Sequence, residues 1–270
     1  MNYEILTGDC VESMKLLPEK LFNTCVTSPP YYGLRDYDAE GQIGLEKTPE
    51  NFIEKLVNVF REVHRVLRDD GTLWVNIGDS YGKDKQLLGI PWKLAFALQS
   101  SGWILRQDII WHKTNPMPES VKDRCTRSHE YIFLLSKSHH YFFDNEAIKE
   151  TAISKPRIRE KRNGENATDT KKRGSKSCCG VISDKKCKRD VWSVSTKSYK
   201  GSHCAVFPPD LIEPCILAGC PEYGVVLDPF GGSGTTAGIA VKHNRFAYLC
   251  EINPDYVKLI PTRVHQIVTG

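Results

Sequence analysis

The stretch of sequence that decides the fold is Asp228-Pro229-Phe230-Gly231-Gly232-Ser233-Gly234-Thr235-Thr236, which directly follows the apolar run Val225-Val226-Leu227. Residues 232–237 have the spacing Gly-x-Gly-x-x-Ala, and a segment with helical character continues to residue 242. Glycines at such a turn let the chain reverse tightly and let a ligand lie against the main chain. This pattern predicts a strand, a glycine loop and a helix, which together form the ligand-binding corner of an α/β sheet.

Two acidic side chains indicate which ligand this corner would take. Glu251 ends the next predicted strand, 20 residues after Gly231, and an acid at that place can accept hydrogen bonds from both hydroxyls of a ribose. Asp228 stands just before the loop, where its charge would repel a pyrophosphate. It would suit a cationic group, such as the amino group of S-adenosylmethionine. The sequence therefore predicts a nucleoside cofactor that carries a positive charge.

The position of the glycine loop near the end of the sequence predicts a circularly permuted sheet. Only 19 residues follow Glu251, so the strands that complete the sheet come from earlier in the chain. We expect a strand at residues 3–6 to lie beside the strand at 247–251. Doubly wound sheets bind ligands at the carboxyl ends of their strands. Four polar residues are expected at that edge: Asp9, Ser28, Asp228 and Glu251. The chain order argues against a nicotinamide oxidoreductase, which needs a second nucleotide-binding half.

Hydrophobic periodicity predicts further alternation of strands and helices along the chain. Strands are predicted at residues 24–26, 72–77, 109–112 and 131–135. Helices are predicted at residues 11–17, 51–67, 88–99, 208–218 and 256–267. From residue 151 to 200 the sequence is polar, basic and aperiodic, apart from Asp190-Val191-Trp192.

This polar segment accounts for the positive charge of the protein. Residues 149–190 contain 14 Lys and Arg against 6 Asp and Glu, a net charge of +8, whereas the whole chain has a net charge of +4. The remaining residues therefore carry a net charge of −4. A basic segment on a mildly acidic protein indicates a polyanionic partner, although a solvated loop can have the same composition.

A second motif, Thr27-Ser28-Pro29-Pro30-Tyr31, follows the predicted strand at 24–26. Two prolines cannot continue a central strand, so the chain must leave the sheet there in a rigid turn. The Ser28 hydroxyl and a proline carbonyl can together accept hydrogen bonds from an exocyclic amino group and aim its nitrogen at a methyl donor. Tyr31 offers a stacking face for an extruded base. We interpret the turn as catalytic because a glycine loop for a nucleoside cofactor accompanies it.

With both motifs in place, the sequence resembles the amino-methyltransferases of DNA, in the permuted class often called beta. The segments that carry the resemblance are 27–31, 227–236, 251–254, and 203–217 with its Phe207-Pro208 pair. Trp111-His112-Lys113 and His129-Glu130-Tyr131 resemble later strands of the catalytic region. The resemblance implies the Rossmann-like fold of S-adenosylmethionine-dependent methyltransferases, with a mostly parallel, circularly permuted seven-stranded sheet.

The same resemblance divides the chain into three parts. Residues 1–150 would form the catalytic half of the methyltransferase domain, and residues 203–270 would form the cofactor-binding half. The basic segment at 151–202 would be an inserted, partly flexible target-recognition region. This interval is the part of the chain that the resemblance leaves unmatched.

The resemblance also implies roles for individual residues. Ser28, Pro29, Pro30 and Tyr31 would form the catalytic turn. Asp228 would bind the amino group of the methionine part of the cofactor, and Glu251 would hold the ribose hydroxyls. Asp9 would accept from the adenine amino group of the cofactor. The other residues expected to line the cofactor site are Phe207, Pro229, Phe230, Gly231, Gly232, Ser233, Gly234 and Thr235.

Serine at the first position of the turn resembles the cytosine-N4 subgroup of this family. We therefore expect methyl transfer from S-adenosylmethionine to the N4 amino group of cytosine in double-stranded DNA, with N6 of adenine as the alternative. Methylation of RNA or of a protein glutamine, and a nucleic-acid-binding module with an inactive cofactor pocket, are further alternatives. A cognate restriction endonuclease is a candidate partner, and the sequence leaves monomer and homodimer both open.

Composition sets the remaining expectations. The 270 residues, 40 % of them hydrophobic, suffice for one large α/β domain with an insertion. Met1-Asn2-Tyr3-Glu4 lacks the features of a secretory signal and no long apolar run occurs, so we expect a cytoplasmic protein of a bacterium, an archaeon or a phage, without a membrane span.

Cysteine spacing predicts no metal site. Five cysteines adjoin apolar stretches and are expected to be reduced: Cys10, Cys25, Cys215, Cys220 and Cys250. Four others lie in the polar middle of the chain: Cys178, Cys179, Cys187 and Cys204. No pair among these four has the Cys-x-x-Cys spacing that is common in zinc sites.

Overall fold

Strands and helices alternate along the chain. The computed structural model describes residues 2–34, 36, 39–151, 185–196 and 207–270. The strands are β1 (Tyr3–Thr7), β2 (Phe22–Thr27), β3 (Leu67–Ile77), β4 (Ile104–Lys113), β5 (His129–Ser136), β6 (Glu150–Thr151), β7 (Lys185–Lys186), β8 (Val191–Val194), β9 (Val225–Asp228) and β10 (Phe246–Glu251). The helices are α1 (Cys10–Lys15), α2 (Pro49–Val66), α3 (Ile90–Ser100), α4 (Pro209–Gly219), α5 (Thr235–Lys242) and α6 (Pro254–Thr269).

The order of the strands confirms the predicted circular permutation. Eight strands form one sheet in the order β1-β10-β9-β2-β3-β5-β4-β8, and β6 and β7 pair separately. β1 lies parallel to β10, with Tyr3 opposite Ala247 and Thr7 opposite Glu251. Two strands from late in the chain, β9 and β10, therefore lie between two strands from its beginning.

The sheet is mostly parallel, which confirms the predicted α/β class. β5 runs antiparallel to β3 and to β4. The other neighbouring strands of the large sheet run parallel. Because β5 is antiparallel to both of its neighbours, β3 and β4 point in the same direction. The carboxyl ends of seven of the eight strands thus meet at one edge, hereafter the active edge.

The eighth strand comes from the segment that was predicted as an insertion. β8 pairs with β4, from Ile110 opposite Val191 to Lys113 opposite Val194. The side chain of Trp192 is buried, and Trp111 Nε1 donates to the Val194 carbonyl at 2.9 Å. Most of the segment for which flexibility was predicted lies outside the described residues, and so do Cys178 and Cys179 within it and Cys204 just after it.

Helices cover both faces of the sheet and form two apolar cores. The first core joins α1, α2 and α3 to the sheet, and the second joins α4, α5 and α6 to the opposite face. Adjacent residues of β10 show the alternation, because Cys250 belongs to the first core and Leu249 to the second. Both cores are needed because each face of a parallel sheet is apolar.

Several element boundaries differ from those predicted, and two of the differences have identifiable reasons. β3 begins at Leu67 rather than at residue 72, because Leu67 is already extended and pairs with Phe22 of β2. α3 begins at Ile90 rather than at residue 88, because Gly89 is left-handed and the Asp79 carboxylate accepts from the amides of Gly89 and Ile90.

Some features are absent from the part of the chain that the structure describes. No helix there is long and apolar enough to cross a membrane. Within the same residues, no group of three His, Cys, Asp or Glu side chains is placed to hold a metal ion. The seven described cysteines are free, and the five that adjoin apolar stretches are buried.

Candidate active site

The active edge brings the two sequence motifs together. β9 lies next to β2, with Leu227 opposite Cys25, so the glycine loop and the Ser-Pro-Pro-Tyr turn leave the sheet side by side. On the other side of β9, Glu251 ends β10 opposite Thr7 of β1. The four polar residues expected at this edge do follow or end neighbouring parallel strands. They are Asp9, Ser28, Asp228 and Glu251.

The glycine loop is shaped by its own backbone hydrogen bonds. Gly231 N donates to the Cys250 carbonyl at 2.8 Å, and Gly234 N donates to the Gly231 carbonyl at 2.8 Å. Gly234 has φ +89°, and a Cβ added to it would lie 2.7 Å from Ile260 Cγ2. Glycine is therefore required at this position, both for the left-handed backbone and for the close approach of α6.

Glu251 holds the loop from the next strand. Its Oε2 accepts from Gly232 N at 2.7 Å, and its Oε1 accepts from Asn253 N at 2.8 Å. The side chain is only 8 % exposed, and burial raises the pKa of its carboxyl above the ordinary value. Glu251 thus holds both the glycine loop and the turn that follows β10.

Two hydroxyls of the loop lack a partner. The side-chain oxygens of Ser233 and Thr235 are buried and accept or donate no hydrogen bond among the described residues. Buried polar atoms in proteins are nearly always paired, so these two fit polar groups of a ligand that lies on the loop. The methionine part of S-adenosylmethionine carries such groups, and the site therefore fits this cofactor.

Asp228 joins the two motifs by hydrogen bonds. Its Oδ1 accepts from Thr27 Oγ1 at 2.6 Å and from Phe230 N at 3.0 Å, and its Oδ2 accepts from Thr236 Oγ1 at 2.6 Å. The residue is 1 % exposed, and burial raises the pKa of its carboxyl. A carboxylate has about four acceptor positions, so one remains for a further donor. The predicted contact with a cofactor amino group stays a prediction.

The catalytic turn is held by a polar network. The Tyr31 hydroxyl donates to Glu130 Oε2 at 2.5 Å. Asn76 Nδ2 lies 2.9 Å from the Tyr31 hydroxyl, 3.1 Å from Glu130 Oε2 and 3.5 Å from Ser28 Oγ. Burial and the neighbouring carboxylate raise the pKa of Tyr31 well above its ordinary value, so its hydroxyl stays protonated.

Two further features complete this network. Lys113 Nζ forms an ion pair with Glu130 Oε1, so both oxygens of that carboxylate are engaged. Asn76 Oδ1 is buried and has no partner among the described residues, in a side chain that is 3 % exposed. Ser28 Oγ accepts from Nδ2 of the same Asn76 amide at 3.5 Å, so the two acceptor oxygens lie near each other. The two oxygens can therefore accept hydrogen bonds from an amino group of a substrate.

Sequence reasoning missed part of this network. Lys113 and Glu130 were placed in strands of the catalytic region but not connected to Tyr31, and Asn76 was not singled out. The available signal was a polar residue in the apolar run Leu73-Trp74-Val75-Asn76-Ile77. A buried amide in a central strand needs partners, and those partners come from the turn after β2 and from β5, 45 and 54 residues away.

The remaining predicted residues lie as follows. Asp9 caps α1, and its Oδ1 accepts from Val11 N at 2.9 Å and from Glu12 N at 3.0 Å. Pro29 and Pro229 are buried, and Pro30 is half-buried. Phe230 packs on the first core and Phe207 on the second, each half-buried. The cofactor contacts predicted for Asp9, Phe207, Pro229 and Phe230 remain predictions.

A comparison of the whole sequence with protein families now identifies the group to which the chain belongs. The profile described as DNA methylase, for N6- and N4-methyltransferases, matches residues 22–261. The chain belongs to this family. Membership in the N6/N4 DNA methylase family confirms the predicted class of DNA amino-methyltransferases and the expected cofactor, S-adenosylmethionine.

Two Type II methyltransferases are similar to the chain along almost their full length. The chain is 44 % identical over 289 aligned residues to the Type II methyltransferase M.SmaI of Serratia marcescens, with 97 % of this chain and 90 % of M.SmaI covered. It is 42 % identical to the Type II methyltransferase M.Cfr9I of Citrobacter freundii, with 96 % and 87 % covered.

Solved structures share the fold of this family member. The PvuII DNA methyltransferase, described as cytosine-N4-specific, superposes with a TM-score of 0.73 at 18 % identity, covering 100 % of this chain and 94 % of that one. TTHA0409 of Thermus thermophilus, solved in complex with S-adenosylmethionine, superposes with a TM-score of 0.64 at 24 % identity, covering 100 % and 97 %. At these identities the likeness concerns the fold.

Proposed function

We propose that this protein transfers the methyl group of S-adenosylmethionine to the N4 amino group of cytosine in duplex DNA. The observation that carries the proposal is the pair of acceptors formed by Ser28 Oγ and the unpartnered Asn76 Oδ1, next to the cofactor loop. Cytosine rather than adenine is supported by serine at the first position of the turn. N6 of adenine is the second candidate, because the same acceptors suit either amine.

The chain's own residues would act by binding and orienting the two reactants. The glycine loop and Glu251 would hold the cofactor, which supplies an electrophilic methyl group when bound. The two N–H groups of the exocyclic amine would donate to acceptors among Ser28 Oγ, the Pro29 carbonyl and Asn76 Oδ1, which draws the nitrogen lone pair out of the ring. Such placement and hydrogen bonding supply most of the rate enhancement in reactions of this kind.

Tyr31 would position the extruded base. Its hydroxyl is held by Glu130, and Lys113 holds that carboxylate in turn. Stacking of a base on an aromatic ring contributes about 1–3 kcal/mol, which offsets part of the cost of extrusion. A ring whose orientation is set by hydrogen bonds can present a fixed face to the base.

The backbone of Gly78 packs against that ring, and this contact yields a prediction. A Cβ added to Gly78 would lie 2.8 Å from Tyr31 Cε2. Gly78→Ala is therefore expected to displace Tyr31 and to lower the methylation rate about tenfold, because a misplacement of about 1 Å costs one to two orders of magnitude. Cofactor affinity, measured by calorimetry, should stay at the wild-type value. An unchanged rate would show that the position of this ring does not matter.

The raised pKa of Glu251 yields a prediction about pH. The charged carboxylate would accept from the ribose hydroxyls, so cofactor affinity should be full above the raised pKa and should fall as pH decreases through it. Glu251→Gln should bind the cofactor about tenfold more weakly at neutral pH, because a charged acceptor is lost. Its affinity should also no longer depend on pH in that range.

Calorimetric titrations with S-adenosylmethionine over a pH series would measure both effects. Glu222→Gln is the matched control, because Glu222 is an exposed glutamate before β9. Equal affinities of wild type and Glu251→Gln at neutral pH would remove Glu251 from the ribose site.

We infer that the basic segment at 151–202 contacts DNA phosphates. In the sequence this segment separates the catalytic half at 1–150 from the cofactor-binding half at 203–270. Its net positive charge supports the contact, because neutralised phosphates dominate DNA affinity. The Type II designation of M.SmaI and M.Cfr9I supports a place in restriction–modification and a cognate endonuclease as partner. A cytoplasmic location would follow from that role.

Long-read sequencing of plasmid DNA from a methylation-free host that expresses the protein tests the proposal directly. Modified cytosines in one defined motif, absent with Ser28→Ala, are expected. Modified adenines would keep the enzyme class and overturn the choice of base. An unmodified plasmid, despite folded protein that binds S-adenosylmethionine, would leave RNA, a protein glutamine or an inactive DNA-binding module as the function.

A further inference from the structure

The loop between β4 and β5 is anchored beside the catalytic turn at both of its ends. Lys113 is the last residue of β4, and Glu130 lies at the start of β5. These two side chains form an ion pair, and Glu130 also accepts from the Tyr31 hydroxyl. Residues 114–128, hereafter the β4–β5 loop, therefore project from the active edge next to the base-binding position.

The tip of this loop carries an apolar side chain in solvent. Met117 is 84 % exposed and stands between Pro116 and Pro118. Proline fixes its own φ and restricts the residue before it, so the backbone of the tip has few conformations. Single exposed apolar side chains are common on protein surfaces, so what distinguishes Met117 is its rigid backbone and its place at the edge of the candidate active site.

The stem of the tip is fixed by a side-chain clamp. Asn115 Oδ1 accepts from Thr196 N at 2.7 Å and from Thr196 Oγ1 at 3.1 Å, and Asn115 Nδ2 donates to the Thr196 carbonyl at 3.0 Å. Thr114 Oγ1 also lies 2.7 Å from Ser195 Oγ. The residues after β8 thus hold the loop immediately before Pro116.

The returning limb of the loop supplies positive charge. The guanidinium carbons of Arg124 and Arg127 lie 4.2 Å and 5.2 Å from the centre of the Tyr81 ring. Arg124 is also paired with Glu119, and Arg127 donates to the Asp79 carbonyl. An apolar tip beside arginines fits a partner with an anionic outside and an apolar inside, and a DNA duplex has both.

We propose that Met117 enters the base stack at the target base pair and occupies the space that the extruded nucleotide leaves. Methionine is among the side chains that proteins insert between base pairs. The wedge would favour the extruded state without touching the reacting atoms, so Met117 is a positioning residue. This inference rests on the proposed function, since it requires a base that leaves the duplex.

Single-turnover methylation by the full-length protein tests the proposal on two duplexes that contain the motif methylated by wild type. One duplex is fully paired, and the other has a mismatch opposite the target base, which lowers the cost of extrusion. Met117→Ala should be about tenfold slower than wild type on the paired duplex, because the wedge favours extrusion. It should differ by less than about twofold on the mismatched duplex, where extrusion is already easy.

Two further variants sharpen the test. Met117→Leu should keep the wild-type rate on the paired duplex, because leucine also inserts between base pairs. Leu16→Ala is the matched control, because Leu16 is an equally exposed apolar side chain, 87 % exposed, at the end of α1. It should behave as wild type on both duplexes. A Met117→Ala variant that is slowed equally on both, or on neither, overturns the wedge. The proposed function fails separately, by an unmodified plasmid in the sequencing experiment, before any Met117 variant is compared.

Discussion

Ser28→Ala is expected to lower the rate of methyl transfer about 100-fold, because loss of one well-placed hydrogen-bonding group at a reacting centre costs two to three orders of magnitude. Ser28 lies at the end of β2 and shares Asn76 Nδ2 with the Tyr31 hydroxyl and Glu130. Removal of its hydroxyl leaves Asn76 Oδ1 and a backbone carbonyl as the acceptors for the amine. Single-turnover rates on duplex DNA measure the effect.

The affinity for S-adenosylmethionine separates this effect from general damage. In the proposed arrangement Ser28 would contact the amine rather than the cofactor loop, so calorimetry should give the wild-type dissociation constant. Ser100→Ala is the matched control, because Ser100 ends α3 and its exposed hydroxyl donates to the Phe96 carbonyl of its own helix. Equal losses of rate and cofactor affinity in Ser28→Ala would show that the turn supports the cofactor site instead.

Asp228→Ala is expected to destabilise the fold by about 3 kcal/mol or more, because each buried donor left without an acceptor costs about 1–3 kcal/mol. Three donors would lose their acceptor, namely the hydroxyls of Thr27 and Thr236 and the amide of Phe230. Unfolding in denaturant measures the change. Methylation should also fail, because Thr27 precedes the catalytic turn and Thr236 lies at the start of α5.

Two companion variants show whether the hydrogen bonds are the cause. Asp228→Asn keeps the shape but has one acceptor oxygen instead of two, so a smaller loss of about 1 kcal/mol is expected. Asp255→Ala removes an exposed aspartate that pairs with Lys258 at 2.7 Å, and it should leave the free energy of unfolding unchanged within about 0.5 kcal/mol. An Asp228→Ala protein as stable as wild type would show that these bonds are not important.

Much of the fold was predictable because its signals are local. The apolar stripe of α2 recurs at helical spacing, and the glycine loop between β9 and α5 has a fixed pattern. The pairing of β1 with β10 followed from chain order. β8 was not predicted, because four residues inside a polar segment carry little periodicity. Its place depends on Trp192 and on contacts with β4, which only the folded chain reveals.

The site was predictable in its motifs but not in its connections. Ser28 and Glu251 could be singled out because the chemistry proposed for them follows from their position at a strand end. The bond between Asp228 and Thr27 joins residues 201 positions apart, and no local pattern predicts it. Asp228 was therefore expected to face a ligand, whereas most of its acceptor capacity serves the two motifs beside it.

The strand order also affects how the protein is made. β9 and β10 fill the middle of the sheet, yet the ribosome synthesises them after all the strands around them. Until Glu251 has emerged, a nascent chain has β1 and β2 with unpaired edges toward the gap, and such edges attract other chains. The final closure joins segments more than 200 residues apart and is slow for that reason. Each molecule therefore becomes able to bind its cofactor only after translation has passed Glu251.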